Sequence, residues 1–195
     1  MMLIYFILAA IPLSFLCGGK LKYIAEYPMR LIWLPPLSFA IEAAFPLLKD
    51  RLQLPISQWL WIAVLLEYML LFLFCFFNWK RKSIRLIALA CFLNFFVIAW
   101  YGFRMPVSPI IQEFPKMASS FARLQSGEIF EYVLVEQNAP FLFLGDAIVI
   151  PFMSSGLASI GDIILGFGVS WLIFEWMRPL PQKKKRSVSL RNAIY

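Results

Sequence analysis

Apolar runs long enough to cross a bilayer recur along the chain, and they limit its fold more than any other feature. A membrane-crossing helix needs roughly 17 to 25 largely apolar residues. Runs of that kind fall at about 1–17, 31–48, 57–79, 84–103 and 157–177. The chain has 62% hydrophobic residues, against about 45–50% in soluble domains. In hydrocarbon every backbone N–H and C=O must find an internal partner, so such runs are expected as helices. The predicted fold class is all-α: an integral membrane helical bundle of about five transmembrane helices.

The segments between and within the runs refine this picture. A cleaved leader would carry a basic start and small residues before the cut, whereas Ser14-Phe15-Leu16-Cys17 puts a bulky Leu where a lipobox has a small residue. The first run is therefore expected to stay as a helix. The second is interrupted by Pro35-Pro36 and Pro46, each lacking a backbone donor. Trp59, Trp61 and Trp79 mark the two interfaces of the third. Residues 104–140 turn polar, with an amphipathic pattern over 114–124 followed by Glu128, Glu131 and Glu136, which predicts an external helical loop. Residues 141–152 are too few to span and contain Asp146 and Pro151, so they are expected as a re-entrant, cavity-lining segment. The polytopic membrane domain then covers 1–181, and 182–195 form a basic cytoplasmic tail.

Charge sets the orientation. Lys20, Lys22 and Arg30, then Lys80, Arg81, Lys82 and Arg85, then Arg178 and the tail's Lys183-Lys184-Lys185-Arg186 fall on one side of a five-span bundle. The positive-inside rule makes that side cytoplasmic, with an external N-terminus in a multi-pass protein of the cell membrane. The net charge of +7 is thereby explained without nucleic acid as a partner. The expected partners are the lipid bilayer and a membrane-protein partner or small ligand. Histidine is absent, and Cys17, Cys75 and Cys91 lack metal-type spacing, so no metal site is expected. Glycine loops of the Walker or dinucleotide type are missing as well, so no cofactor is expected.

What remains for chemistry is acidic. Asp146 and Asp162 each follow a glycine inside strongly apolar sequence, where an uncompensated carboxylate is costly. Held close together, two carboxylates share a proton and become an acid/base pair, the arrangement of an aspartic peptidase. Against this, Asp162 fits the first turn of the last helix, where the helix dipole favours it and Ser159 is placed to cap, with Gly161, Gly166 and Gly168 giving close packing. Arg104 offers a competing account of both aspartates as a structural ion pair, in which each carboxylate stays ionised. Ser108, in Arg104-Met105-Pro106-Val107-Ser108-Pro109, reads as the start of a turn after a proline-forced helix exit. The resulting polar cluster is Arg104, Ser108, Asp146, Ser159 and Asp162. Glu42 and Glu67 lie one per apolar run, either as proton carriers or as protonated groups bonded to a neighbour.

Gly18-Gly19-Lys20-Leu21, Leu93-Asn94, Arg104-Met105-Pro106-Val107-Ser108, Leu144-Gly145-Asp146 and Ser159-Ile160-Gly161-Asp162-Ile163 occur in this order over nearly the whole chain. In that order they resemble the domain-of-unknown-function 5317 family of bacterial multi-pass membrane proteins. In that family the arginine is usually preceded by Asn-Gly-Gly, where this chain has Tyr101-Gly102-Phe103. The resemblance implies a fold and a location and brings no activity. A fainter likeness is to lipoprotein signal peptidase, whose last-helix Asn-x-Ala-Asp motif is similar in shape to Ser159-Ile160-Gly161-Asp162. Its first motif, Asn-x-x-Asp-Arg, has no counterpart around Asp146. The leading expectation is a noncatalytic accessory subunit or a lipid- or ligand-binding scaffold. The alternatives are a membrane-embedded aspartic hydrolase using Asp146 and Asp162, and a small proton-coupled transporter using Glu42, Glu67 or the aspartates.

Overall fold

In a computed structural model of the chain, the structure describes residues 2–52, 56–150 and 156–179. The basic tail at 182–195 and the Pro151 interruption lie outside the described residues. The fold is mostly helical, with 66% helix and 7% strand. In chain order the helices are α1 (Met2–Leu16), α2 (Lys22–Glu26), α3 (Leu34–Leu52), α4 (Ile56–Phe77), α5 (Lys82–Trp100), α6 (Ala118–Gln125) and α7 (Ile160–Trp176). The strands are β1 (Met105–Val107), β2 (Tyr132–Leu134), β3 (Ile148–Val149) and β4 (Leu157–Ala158). By length and composition, two of the helices can cross a membrane, at Trp59–Phe77 and Lys82–Trp100.

Pro35 and Pro36 start α3 where interruption was expected. They follow Leu34 in the first turn, where a helix has no intrahelical acceptors for its N–H groups and a fixed φ suits entry. Ser38 Oγ donates to the Pro35 carbonyl at 2.8 Å and secures that turn.

The long helices pack in the spatial order α3, α4, α5, α7, α1, each running opposite to the one before it in sequence among α1, α3, α4, α5 and α7. Contacts fix these directions. Met2 of α1 packs near Ala158 at the start of α7, and Lys20 N–H donates to Met177 C=O at the other end. Asn94 of α5 meets the start of α7, while Ser83 of α5 meets its last turn. Lys20, Lys22, Arg30, Arg81, Lys82, Arg85 and Arg178 thus collect at one end, the basic end. The opposite end, the cap end, carries residues 101–150 and 156–159.

The core runs along α5, where Ile84, Ile87, Ala88 and Cys91 pack with Leu34, Phe74, Cys75 and Leu172. Glycines on α7 allow its close approach to both neighbours. A Cβ at Gly166 would strike the Phe6 ring of α1, and one at Gly168 would lie 2.8 Å from Ile87 Cγ1 of α5. Small residues at these positions let the helix backbones come close enough for tight packing.

At the cap end the polar loop contains α6, as expected, and in addition short strands. β1 and β2 pair in parallel with Met105 opposite Tyr132, and β3 pairs antiparallel with β4. The stretch expected as re-entrant forms a 3-10 turn at Leu142–Leu144, then an extended link, then β3. Val97, Met105 and Leu144 fasten the cap onto the end of α5, and the Phe141 ring packs edge-on against Phe96 and Trp100 at centroid distances of 5.1 and 4.9 Å.

Candidate functional site

The start of α7 is closed by a reciprocal cap. Asp162 N–H donates to Ser159 Oγ at 2.9 Å, and Ser159 N–H donates to Asp162 Oδ2 at 3.1 Å. Two backbone donors that the helix leaves open are satisfied at once. Asn94 of α5 completes the unit from the side: its Nδ2 donates to Asp162 Oδ1 at 3.1 Å, and its Oδ1 accepts from Ser159 Oγ at 3.1 Å. Ser159 is fully buried and Asn94 nearly so. Gly161 faces the Asn94 amide so closely that any side chain there would overlap it. Both carboxylate oxygens of Asp162 are therefore engaged, Oδ2 in capping α7 itself and Oδ1 in joining α7 to α5.

Asp146 sits next to the same region in a different role. Its N–H donates to Pro106 C=O and its C=O accepts from Ser108 N–H, both at 2.9 Å, which makes residue 146 a third strand position beside β1. Gly145 allows that approach, since a Cβ there would come 2.5 Å from the Pro106 carbonyl oxygen. The residue is half-buried, yet Oδ1 is sealed from solvent and has no hydrogen-bond partner. Burial, with Asp162's charge adding to it, pushes the Asp146 carboxyl up to about 7. No hydrogen bond joins the two carboxyl groups. Ser108 is buried and caps the 3-10 turn Pro109–Glu113, its Oγ accepting from Ile110 N–H at 3.4 Å.

Arg104 makes no ion pair or hydrogen bond with either aspartate. Among the described residues the only ion pair is Arg123–Glu128, so the guanidinium bridges neither carboxylate. It lines a groove of about 360 Å³ with Leu60, Trp61, Tyr101, Phe103 and Val133. Glu42 on α3 is exposed and Glu67 on α4 half-buried.

Sequence reasoning left out Asn94 as a site residue; its signal was an amide inside an otherwise apolar run. It also passed over a second polar knot at the basic end. Glu175 Oε2 accepts from Tyr27 OH at 3.0 Å and from Ser83 Oγ at 2.8 Å. The Arg81 guanidinium stacks on the Tyr27 ring at 3.8 Å and donates to Pro28 C=O. Burial first, then Glu175's charge, pushes the Tyr27 hydroxyl up to about 12, with Arg81 opposing. Asn78 ties the loop before α3 by accepting from Arg30 N–H and donating to Arg30 C=O and Phe74 C=O.

The profile of a family of unknown function, DUF5317, matches residues 26–174. The chain belongs to this family. The match starts just before Tyr27 and ends at Phe174, so the DUF5317 region holds the Asn94–Ser159–Asp162 unit, the Asp146 strand position and the Arg104 groove. No curated protein and no solved structure matches the chain.

Proposed function

We infer that this DUF5317 member is a noncatalytic, multi-pass membrane protein, an accessory subunit or a lipid- or ligand-binding scaffold. The observation that carries the noncatalytic reading is the structural use of Asp162: Ser159 N–H holds one oxygen and Asn94 Nδ2 the other, which makes the group a helix cap and a tie to α5. Five alternating long helices, two of them long and apolar enough to cross, support a five-span bundle. The basic residues gathered at one end support a cytoplasmic C-terminal side and an external cap. In this reading the segment after Phe141 lies over the outer end of the bundle.

One observation favours the hydrolase alternative: Asp146 has an unpartnered carboxyl oxygen and titrates near neutrality, as a general acid would. The test compares wild type, Asp146→Asn and Asp162→Asn in proteoliposomes, reading thermal stability and hydrolysis of peptide and ester panels together. A scaffold loses stability on Asp162→Asn and has no turnover to lose. Turnover abolished by Asp146→Asn at unchanged melting temperature would refute it. Orientation is read with a membrane-impermeant maleimide on intact cells: a cysteine placed at Glu128 labels, and native Cys17 at the basic end stays protected.

A further inference from the structure

Arg104 is the half-buried cation at the cap end for which no described residue supplies a carboxylate or a hydrogen bond. Its backbone is nonetheless held firmly. Phe103 N–H donates to Ile98 C=O at 2.8 Å on one side, and Met105 N–H donates to Glu131 C=O at 2.8 Å on the other. The turn delivering it passes through Gly102 at φ 67° and Phe103 at φ 66°. The left-handed region is strained for a bulky side chain, and strain of this kind clusters at binding sites. A guanidinium on a firmly held backbone, unpaired among the described residues and set at a groove, can receive an anion with two or more oxygens.

The surroundings say what the anion is attached to. The groove walls are Leu60, Trp61, Tyr101, Phe103 and Val133, so the charge sits in apolar and aromatic surroundings. Trp61 is 43% exposed, and below it on α4 Leu65, Met69 and Leu73 are exposed at steps of four residues, a continuous apolar track leading from the groove along the bundle. Trp and Tyr favour the headgroup level of a bilayer.

We propose that this groove binds the headgroup phosphate of a phospholipid from the leaflet at the cap end. Arg104 takes the phosphate oxygens in a forked pair of hydrogen bonds, Trp61 and Tyr101 border the glycerol region, and an acyl chain lies along the α4 track. The proposal rests on the multi-pass reading above and adds to it a specific lipid seat.

The test uses delipidated full-length protein in detergent, with bound lipid counted by native mass spectrometry. The probes are phosphatidylglycerol, diacylglycerol of the same chains, and inorganic phosphate alone. Wild type is expected to hold phosphatidylglycerol at least about tenfold more tightly than R104Q does, the scale of losing a forked charged contact. R104K recovers part of the affinity, W61A loses some, and R178Q at the opposite end changes nothing. R104K and W61A also decide the matter should R104Q fail to fold. Equal phosphatidylglycerol affinity in wild type and R104Q would overturn the proposal. So would diacylglycerol binding as tight as phosphatidylglycerol, or saturable inorganic phosphate binding at Arg104 without lipid. Alkaline carbonate washing of membranes checks the multi-pass reading separately, since release of wild type there sinks that reading whatever the lipid titration gives.

Discussion

Replacing Gly161 with alanine tests whether the α5–α7 junction is held as described. The added methyl would overlap the Asn94 carbonyl oxygen and come 2.5 Å from the amide carbon. Asn94 must then swing away, breaking its bonds to Asp162 Oδ1 and Ser159 Oγ, each 3.1 Å long. A hydrogen bond to a carboxylate contributes about 1.5–3 kcal/mol and a neutral one about 1 kcal/mol. Helix propensity returns up to about 1 kcal/mol on Gly→Ala. The expected net loss is about 1.5–4 kcal/mol. In an Asn94→Ala background the obstacle is gone, so the same substitution should be neutral or slightly stabilising. The double-mutant coupling should therefore reach about 2–4 kcal/mol. Reversible unfolding in mixed micelles, followed by tryptophan fluorescence, measures it. If Gly161→Ala costs the same in both backgrounds, to within about 0.5 kcal/mol, the junction is not built on that contact.

Other expectations follow from the same geometry. Gly145→Ala forces a methyl within 2.5 Å of the Pro106 carbonyl oxygen and 2.7 Å of its Cγ, so β1 must shift, and thermal melting should fall by an amount equivalent to about 1–3 kcal/mol. An Asp146 carboxyl raised to about 7 means that the folded protein binds more protons than the unfolded chain between roughly pH 4 and 7. Stability should thus decrease as pH rises through that window and level off above it; unfolding at pH 5 and pH 8 reads the slope, which Asp146→Asn should flatten. Tyr27→Phe keeps the ring against Trp176 and Arg81 but removes the bond to the Glu175 carboxylate, a loss of about 1.5–3 kcal/mol that should vanish in a Glu175→Ala background. Asn78→Ala releases the segment before α3, so trypsin applied from the basic side should cut faster after Arg30; an unchanged rate would mean the staple is not needed.

The long helices were legible because their cause is local: a long apolar run that must pair its own backbone groups has few alternatives to a helix. Observed ends fall within a few residues of expectation, and the larger difference, at Pro35-Pro36, reflects the ambiguity of proline between breaking a helix and starting one. The cap strands were not legible. Each is only two or three residues long, and Met105 pairs with Tyr132 across an intervening helix, so no period-2 pattern accumulates. The capping reading of Asp162 was available from Ser159 three residues earlier, but Asn94, which uses its other oxygen, arrives from a distant helix. Arg104 was grouped with the aspartates because all three were charges at one end of the bundle; backbone turns at Gly102 and Phe103 send it into a separate groove, and such turns leave little trace when the residue at positive φ is phenylalanine.

The junction at Asn94 also bears on how the chain folds and opens. Ser159 and Asn94 are 65 positions apart, yet hydrogen-bonded, so nearly the entire cap is a loop whose two feet are tied together. The entropy of closing a loop grows only with the logarithm of its length, so this excursion adds little to the cost of docking α7 on α5. The cap is thus suited to act as a foldon of its own, exchanging its amide hydrogens in local openings while the helices beneath stay protected. The same geometry makes it replaceable: a short linker between the two feet would leave a hairpin of α5 and α7, and lineages free to lengthen, shorten or redecorate the cap need not rebuild the bundle that carries it.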